Sequence, residues 1–198
     1  MTVREGWHPI AASDDLPAGH IYAAQLCDVP LAVWRGQDGT VNVWEDRCPH
    51  RGVRFTIGSI HGDELRCQYH AWRFRSGSGA CSAIPAHPTR KPSSAIRATL
   101  FPGVERDGLV WTKLAGDQDA PPQLDYAGAV LRAIAVNCTA QAIEIAIARA
   151  PLPGVRLFVQ PVSFARAVIR GLAEDVSRLA EHDAALERLR RGLERAAA

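Results

Sequence analysis

The sequence predicts a mainly β chain: an antiparallel β domain over residues 1–114, a linker over 115–125, and a small α/β segment of order β-α-β-α over 126–198. Three observations predict it. From Trp7 to about Lys113 the apolar runs are short, rich in β-branched and aromatic residues, and separated by turn formers, the pattern of strands. Two pairs of those runs close around Asp-Gly turns. Helical composition appears only after a polar, Pro-rich break.

In chain order, Leu31–Trp34 and Val41–Trp44 flank Gln37-Asp38-Gly39-Thr40, where Asp and Gly tolerate the backbone of a tight hairpin turn. Val104-Glu105 and Leu109–Thr112 flank Arg106-Asp107-Gly108 in the same way. Ala115 to Leu124 is polar, and Pro121-Pro122 cannot continue a regular element, which places the boundary there. Val130–Val136 then reads as a strand. Ala140–Arg149 reads as a helix of Ala, Ile, Gln and Glu, stopped by Pro151 and Pro153. Val155–Ile169 is β-branched and aromatic, with Pro161 marking an edge or bulge. From about Glu174 to Ala197 a terminal helix is expected, with Val176, Leu179, Leu186, Leu189 and Leu193 on one face and Glu174/Arg178 and Glu187/Arg191 as i,i+4 pairs. Its leucines at sevenfold spacing predict packing on their own domain rather than a coiled-coil seam, which Arg190 interrupts.

Composition narrows the functions. A formal net charge of +2 gives no field for nucleic acid or an anionic membrane. The start, MTVREGWHPI, has no signal-peptide pattern, and no apolar run approaches the ~20 residues that span a bilayer, so a cytoplasmic protein is expected. Cys27, Cys81 and Cys138 are scattered; they read as buried small side chains in a reducing compartment.

Cys48 to Trp72 carries the chemistry. Cys48-x-His50 is followed, after sixteen residues, by Cys67-x-x-His70. Two loops that each offer one thiolate and one imidazole suit a site in which one metal takes two sulfurs and a second takes two nitrogens, the ligand set of a Rieske [2Fe-2S] centre. Cys2His2 also suits tetrahedral zinc, although zinc modules usually open with two or more residues between the first pair.

The flanks of those loops, Arg51-Gly52, Tyr69 and Ala71-Trp72-Arg73-Phe74, resemble the cluster-binding loops of Rieske ring-hydroxylating oxygenases and the related O- and N-demethylases. The resemblance runs from Trp7-His8-Pro9 through Asp46-Arg47-Cys48-Pro49-His50-Arg51-Gly52 to Ile84-Pro85 and Asp107–Trp111. It implies a Rieske-type fold of antiparallel sheets with one [2Fe-2S] cluster per chain held between two loops at one tip. Cys48 and Cys67 would then hold the iron that stays ferric, and neutral His50 and His70 the iron that accepts the electron. Tyr69 and Trp72 are candidates to line the cluster, and Arg51 to flank it. His8, His20, His61 and His87 read as exposed loop histidines. Val53 and Tyr69 stand where respiratory Rieske proteins carry bracing cysteines, and Ala71 where they carry a serine. Fewer hydrogen bonds to the cluster sulfurs imply a potential near the low end of the roughly −150 to +300 mV range.

In the family this domain precedes a much larger one that binds mononuclear iron through two His and a carboxylate. Here His182 is the only histidine after His87, and Glu144 the only acidic residue between Asp125 and Glu174. The chain is therefore not expected to oxygenate substrate alone, and residues 126–198 read as a reduced remnant of that domain. Two functions follow. The first is an electron-transfer component or non-catalytic subunit of a multicomponent oxygenase system, with a reductase or ferredoxin as donor and an oxygenase subunit as acceptor. The second is a structural or redox-sensing subunit that docks on a full-length oxygenase. Homo- or hetero-oligomers are implied by the resemblance alone.

Overall fold

The computed structural model describes residues 6–116, 120–124 and 128–197. Positions 117–119 and 125 of the expected linker lie outside them. Fifteen strands and two α-helices are present among the described residues: β1 His8–Ala12, β2 Ile21–Leu26, β3 Val29–Arg35, β4 Val41–Glu45, β5 Ser59–His61, β6 Glu64–Arg66, β7 Arg73–Arg75, β8 Cys81–Ala83, β9 Leu100–Phe101, β10 Gly103–Arg106, β11 Leu109–Thr112, β12 Ala129–Val130, β13 Ile134–Val136, α1 Ala140–Arg149, β14 Val155–Ser163, β15 Arg166–Ala173 and α2 Leu179–Ala197. The chain divides into two compact units.

The first spans Ser13–Gln25 and Val29–Val104. Its sheets run β2-β3-β4-β9 and β5-β6-β7-β8, with β3–β4, β4–β9, β5–β6, β6–β7 and β7–β8 paired antiparallel. The expected β3–β4 hairpin forms in register from Leu31↔Glu45 to Arg35↔Val41. Its turn closes because the Asp38 carboxylate accepts from the Thr40 backbone N–H at 2.9 Å and Oγ1 at 2.8 Å, while Gly39 takes φ +84°. A file of edge-to-face rings runs through the core: Trp34 to Trp44 at 5.0 Å, Trp44 to Phe55 at 5.6 Å, Phe55 to Phe74 at 5.2 Å. Such pairs contribute about 0.5–1.5 kcal/mol each beyond burial. Phe55 and Phe74 each follow one of the two Cys/His loops by two residues, so the same core anchors both.

The second unit gathers Met1–Ala12, Leu26–Asp28 and Glu105–Ala198. β1 pairs with β11, and Asp107 (φ 54°) and Gly108 (φ 71°) make the expected tight turn between β10 and β11. The segment 155–169, read as a single strand, is a hairpin of β14 and β15 in register from Val155↔Ala173. Its turn, Phe164-Ala165, contains none of the residues that announce one. Pro161 sits where the register shifts, as a bulge. The strand expected over 130–136 is broken into β12 and β13, which lie along the same neighbour, β15. Long-range bonds join the N-terminus to this unit: Arg170 Nη2 donates to the Ile10 carbonyl at 2.6 Å, and His8 Nδ1 lies 3.1 Å from the Val159 carbonyl.

α1 has the bounds the sequence predicts, capped by the Thr139 side chain, which accepts from the Ala142 N–H at 3.2 Å. α2 begins later than expected. Asp175 caps a short 3-10 turn at Val176–Arg178, and the α-helix starts at Leu179. Val176 is therefore 65% exposed and not part of the apolar face, whereas Leu186 is buried and Leu179, Leu189 and Leu193 pack on the unit's core. The ion pairs differ from those expected: Glu174 precedes the helix and Arg178 pairs with Glu181, while Glu187 pairs with Arg190 and Arg132 instead of Arg191.

Candidate metal centre

The four predicted ligands sit on two loops with the same backbone path. In the first, the Cys48 N–H donates to the Val53 carbonyl (2.8 Å) and the Gly52 N–H to the Cys48 carbonyl (2.8 Å). In the second, the Cys67 N–H donates to Trp72 (2.9 Å) and the Ala71 N–H to Cys67 (3.1 Å). Each loop needs a left-handed residue four positions after its cysteine, supplied by Gly52 at φ 72° and by Ala71 at φ 57°. Glycine meets that need freely; alanine carries a steric cost.

Both cysteines point inward and are 2% exposed, within the aromatic core cluster. Both histidines lie at the surface, His50 partly and His70 openly exposed. Their ring centroids are 4.7 Å apart at 62°. The structure thus brings all four together and separates them by element, sulfur beneath and nitrogen above.

The electrostatics match metal binding. Burial first, and then the adjacent Cys67 thiol, push the Cys48 thiol up to about 12, against the His50 and Arg51 backbone N–H groups that hydrogen-bond its sulfur. A thiol pair so placed ionises in the presence of a compensating cation. The His50 imidazole is lowered by partial burial, then by the positive charges of His70 and Arg51, which favours the neutral ring that binds a metal. Two buried sulfurs and two surface nitrogens fit an Fe–S cluster with sulfur ligands on one iron and imidazoles on the other.

Trp72 and Tyr69 each cover one histidine. Trp72 stacks on His50 at 4.0 Å and 9°, tying the second loop across the first, and Tyr69 tilts over His70 at 3.9 Å while remaining 61% exposed. Arg51 is exposed. His20 and His87 are exposed outside the strands as expected; His61 is exposed but ends strand β5 rather than lying in a loop, and His8 is half-buried on β1, because the first strand lies against Val159. His182 is buried on α2. Cys27, Cys81 and Cys138 are buried and form no disulfide among the described residues. Among the described residues, no three His, Cys, Asp or Glu side chains are placed to hold a single metal ion.

One supporting pair was not read from the sequence. Asp46, buried two residues before Cys48, accepts from the Thr56 N–H at 2.8 Å and Oγ1 at 2.7 Å. It ties the entrance of the first loop to its exit. The only sequence signal was an Asp beside the ligand motif with a Thr eight residues beyond Cys48.

Sheets, loops and donor set together define an iron–sulfur domain, and comparison with known proteins specifies which: residues 6–100 match the Rieske [2Fe-2S] domain. The domain implies a [2Fe-2S] cluster. The chain is 41% identical over 138 residues to the oxidoreductase NdmD of Pseudomonas putida, a match covering 70% of this chain and 24% of that one. It is 34% identical over 128 residues to the toluene-4-sulfonate monooxygenase system iron-sulfur subunit TsaM1 of Comamonas testosteroni, covering 64% and 36%. The chain thus spans about a quarter to a third of the length of these curated relatives. Among solved structures it resembles dicamba monooxygenase with non-heme iron and dicamba (TM-score 0.76, 19% identity, 92% of this chain and 80% of that one). The Pseudomonas putida CBB5 protein NdmA is equally similar (TM-score 0.76, 19% identity, 97% and 81%). At that identity the likeness is one of fold. No helix among the described residues is long and apolar enough to cross a membrane.

Proposed function

We propose that this chain is an electron-transfer component of a multicomponent Rieske oxygenase system, taking electrons from a reductase or ferredoxin and passing them to a separate oxygenase subunit in the cytoplasm. The observation that carries the reading is the division of the site: buried thiols, and imidazoles at the surface beside an exposed tyrosine. Cys48, His50, Cys67 and His70 would hold the cluster, which supplies a one-electron carrier when bound. The cysteines fix it to the core. The histidines present an edge to which a partner can approach, and Trp72 holds His50 in place across the loops. The names of the relatives support this setting, since one is an oxidoreductase and another the iron-sulfur subunit of a monooxygenase system. On this reading no oxygen activation is assigned to the chain itself.

The test is iron and acid-labile sulfide on anaerobically purified protein, EPR of the reduced sample, and then mixing with a reductase and an oxygenase component. Two irons and two sulfides per chain, a rhombic spectrum of low average g, and reoxidation by the oxygenase component are expected. A third iron would assign oxygen chemistry to the chain. A reduced cluster that no oxygenase component reoxidises would instead favour a structural or redox-sensing subunit.

A further inference from the structure

Resting on the electron-carrier reading, we infer that the histidine face is a docking surface for an acidic protein, with Arg47, Arg51 and Arg54 as the residues that select it. Residues 47–75 contain six arginines against two carboxylates, Asp63 and Glu64. Both carboxylates are engaged. Asp63 accepts from the Asp38 N–H at 3.0 Å, and Glu64 lies 3.7 Å from Arg73 and 4.0 Å from Arg75. The side chains of Arg47, Arg51, Arg54 and Arg66 are exposed and have no carboxylate or hydrogen-bond partner among the described residues.

These four arginines flank the cluster loops. Arg47 and Arg51 stand on either side of Cys48 and His50, and the Arg47 side chain folds back over the loop, its Nε 3.3 Å from where a Cβ on Gly52 would sit. Arg54 precedes the 3-10 turn Phe55–Ile57, and Arg66 precedes Cys67. The end of that turn abuts the second loop's strand, since a Cβ on Gly58 would lie 2.5 Å from the Arg66 carbonyl oxygen. Arg47, His50, Arg51 and Thr99 line a cavity of about 480 Å³, with Glu45 the one carboxylate on its wall.

Arg47 and Arg51 line one cavity with His50 and face a single carboxylate there, Glu45, with which neither forms an ion pair, so an excess of positive charge is left at the histidine edge for an incoming carboxylate to offset. The surface also has an apolar contact of the kind an interface needs, in Tyr69 (61% exposed) beside His70. Tyrosine and arginine are the residues enriched where proteins dock. Charge complementarity brings the partner to the imidazole edge and orients it there. The transfer moves one electron from a reduced donor cluster to the oxidised cluster of this chain, with no bond made or broken.

The probe is an acidic plant-type [2Fe-2S] ferredoxin, with the basic protein cytochrome c as charge control. The oxidised ferredoxin is titrated into the cluster-loaded chain at about 20 and about 200 mM salt, and Kd is read by calorimetry. Binding about tenfold weaker at high salt is expected, since the Debye length falls from roughly 20 to roughly 7 Å over that range. Arg51→Glu and Arg54→Glu should each weaken it by about fivefold or more, Arg47→Glu likewise, and Arg195→Glu on α2, the same change of net charge, by less than about twofold. Unchanged iron content confirms that each variant is folded; Arg54, outside both ligand loops, serves where a loop variant is not. Binding insensitive to salt, equal loss in Arg195→Glu, or equal affinity for cytochrome c overturns the inference. Stopped-flow reduction separates the two readings. Fast reduction without salt dependence removes the docking surface and leaves the electron carrier. Tight, arginine-dependent binding without reduction leaves the surface and removes the carrier.

Discussion

Replacing Asp46 with alanine tests whether the first cluster loop is held by its own brace or by the metal. The carboxylate is buried and accepts two short bonds from Thr56, at 2.8 and 2.7 Å. Hydrogen bonds to a charged group contribute about 1.5–3 kcal/mol each, and the variant would strand the Thr56 N–H and hydroxyl in a half-buried setting. A loss of about 3 kcal/mol is expected. For a chain of this size that lowers Tm by roughly 6–12 °C. If release of the cluster proceeds through opening of this loop, the same energy speeds bleaching of the visible absorption by about a hundredfold in excess chelator. Asp46→Asn keeps an acceptor for the Thr56 N–H and a group able to bond its hydroxyl, so it should fall between wild type and alanine. A bleaching rate within a factor of two of wild type, together with a Tm within about 2 °C, would refute the bracing argument.

Other outcomes are expected from single features. Ala71→Gly should leave the cluster bound and change stability by less than about 1 kcal/mol in urea, because relief of the left-handed alanine offsets the added freedom of the unfolded chain. Gly52→Val, at φ 72° and with Arg47 Nε 3.3 Å from its Cβ, should cost about 2 kcal/mol or more and deplete iron. Thr139→Ala removes the α1 cap and should cost about 1 kcal/mol, read as a fall in urea midpoint with cluster content unchanged. Glu187 is held below the usual carboxylate range by Arg132 first and Arg190 second. A depressed acid stabilises fully above its unfolded pKa and loses that contribution as pH falls through its folded one. The urea midpoint should therefore drop as pH is lowered below about 4.5, and Arg132→Ala should flatten that dependence.

The ligand loops were legible because their chemistry is local: cysteine and histidine at short spacing, with a glycine at the left-handed position of the first turn. The β3–β4 and β10–β11 hairpins were legible for the same reason, since Asp-Gly announces the turn. The β14–β15 hairpin was not, because Phe164-Ala165 turns without Gly, Asn or Asp, and a continuous β-branched run then reads as one strand. Val176 kept the helical period of the leucines after it, but Asp175 caps a 3-10 turn there and the α-helix proper starts three residues later. Nothing in Trp7-His8-Pro9 signals that His8 reaches Val159 or that Ile10 receives Arg170, because contacts across some 150 residues leave no periodicity. The Asp46–Thr56 brace lay between these cases: close in sequence, yet of residue types that also populate any loop.

The shared backbone path of the two loops makes the position of each imidazole a variable separate from the scaffold. Cys48 and Cys67 occupy the same place in their turns, and so do Gly52 and Ala71, but histidine stands second after one cysteine and third after the other. Arg51 fills in the first loop the place that His70 fills in the second, and Tyr69 mirrors His50. A one-residue shift within either turn would swing a nitrogen donor around a frame that stays put. The geometry of such a centre could then be varied by exchanging neighbours, with the fold beneath unchanged.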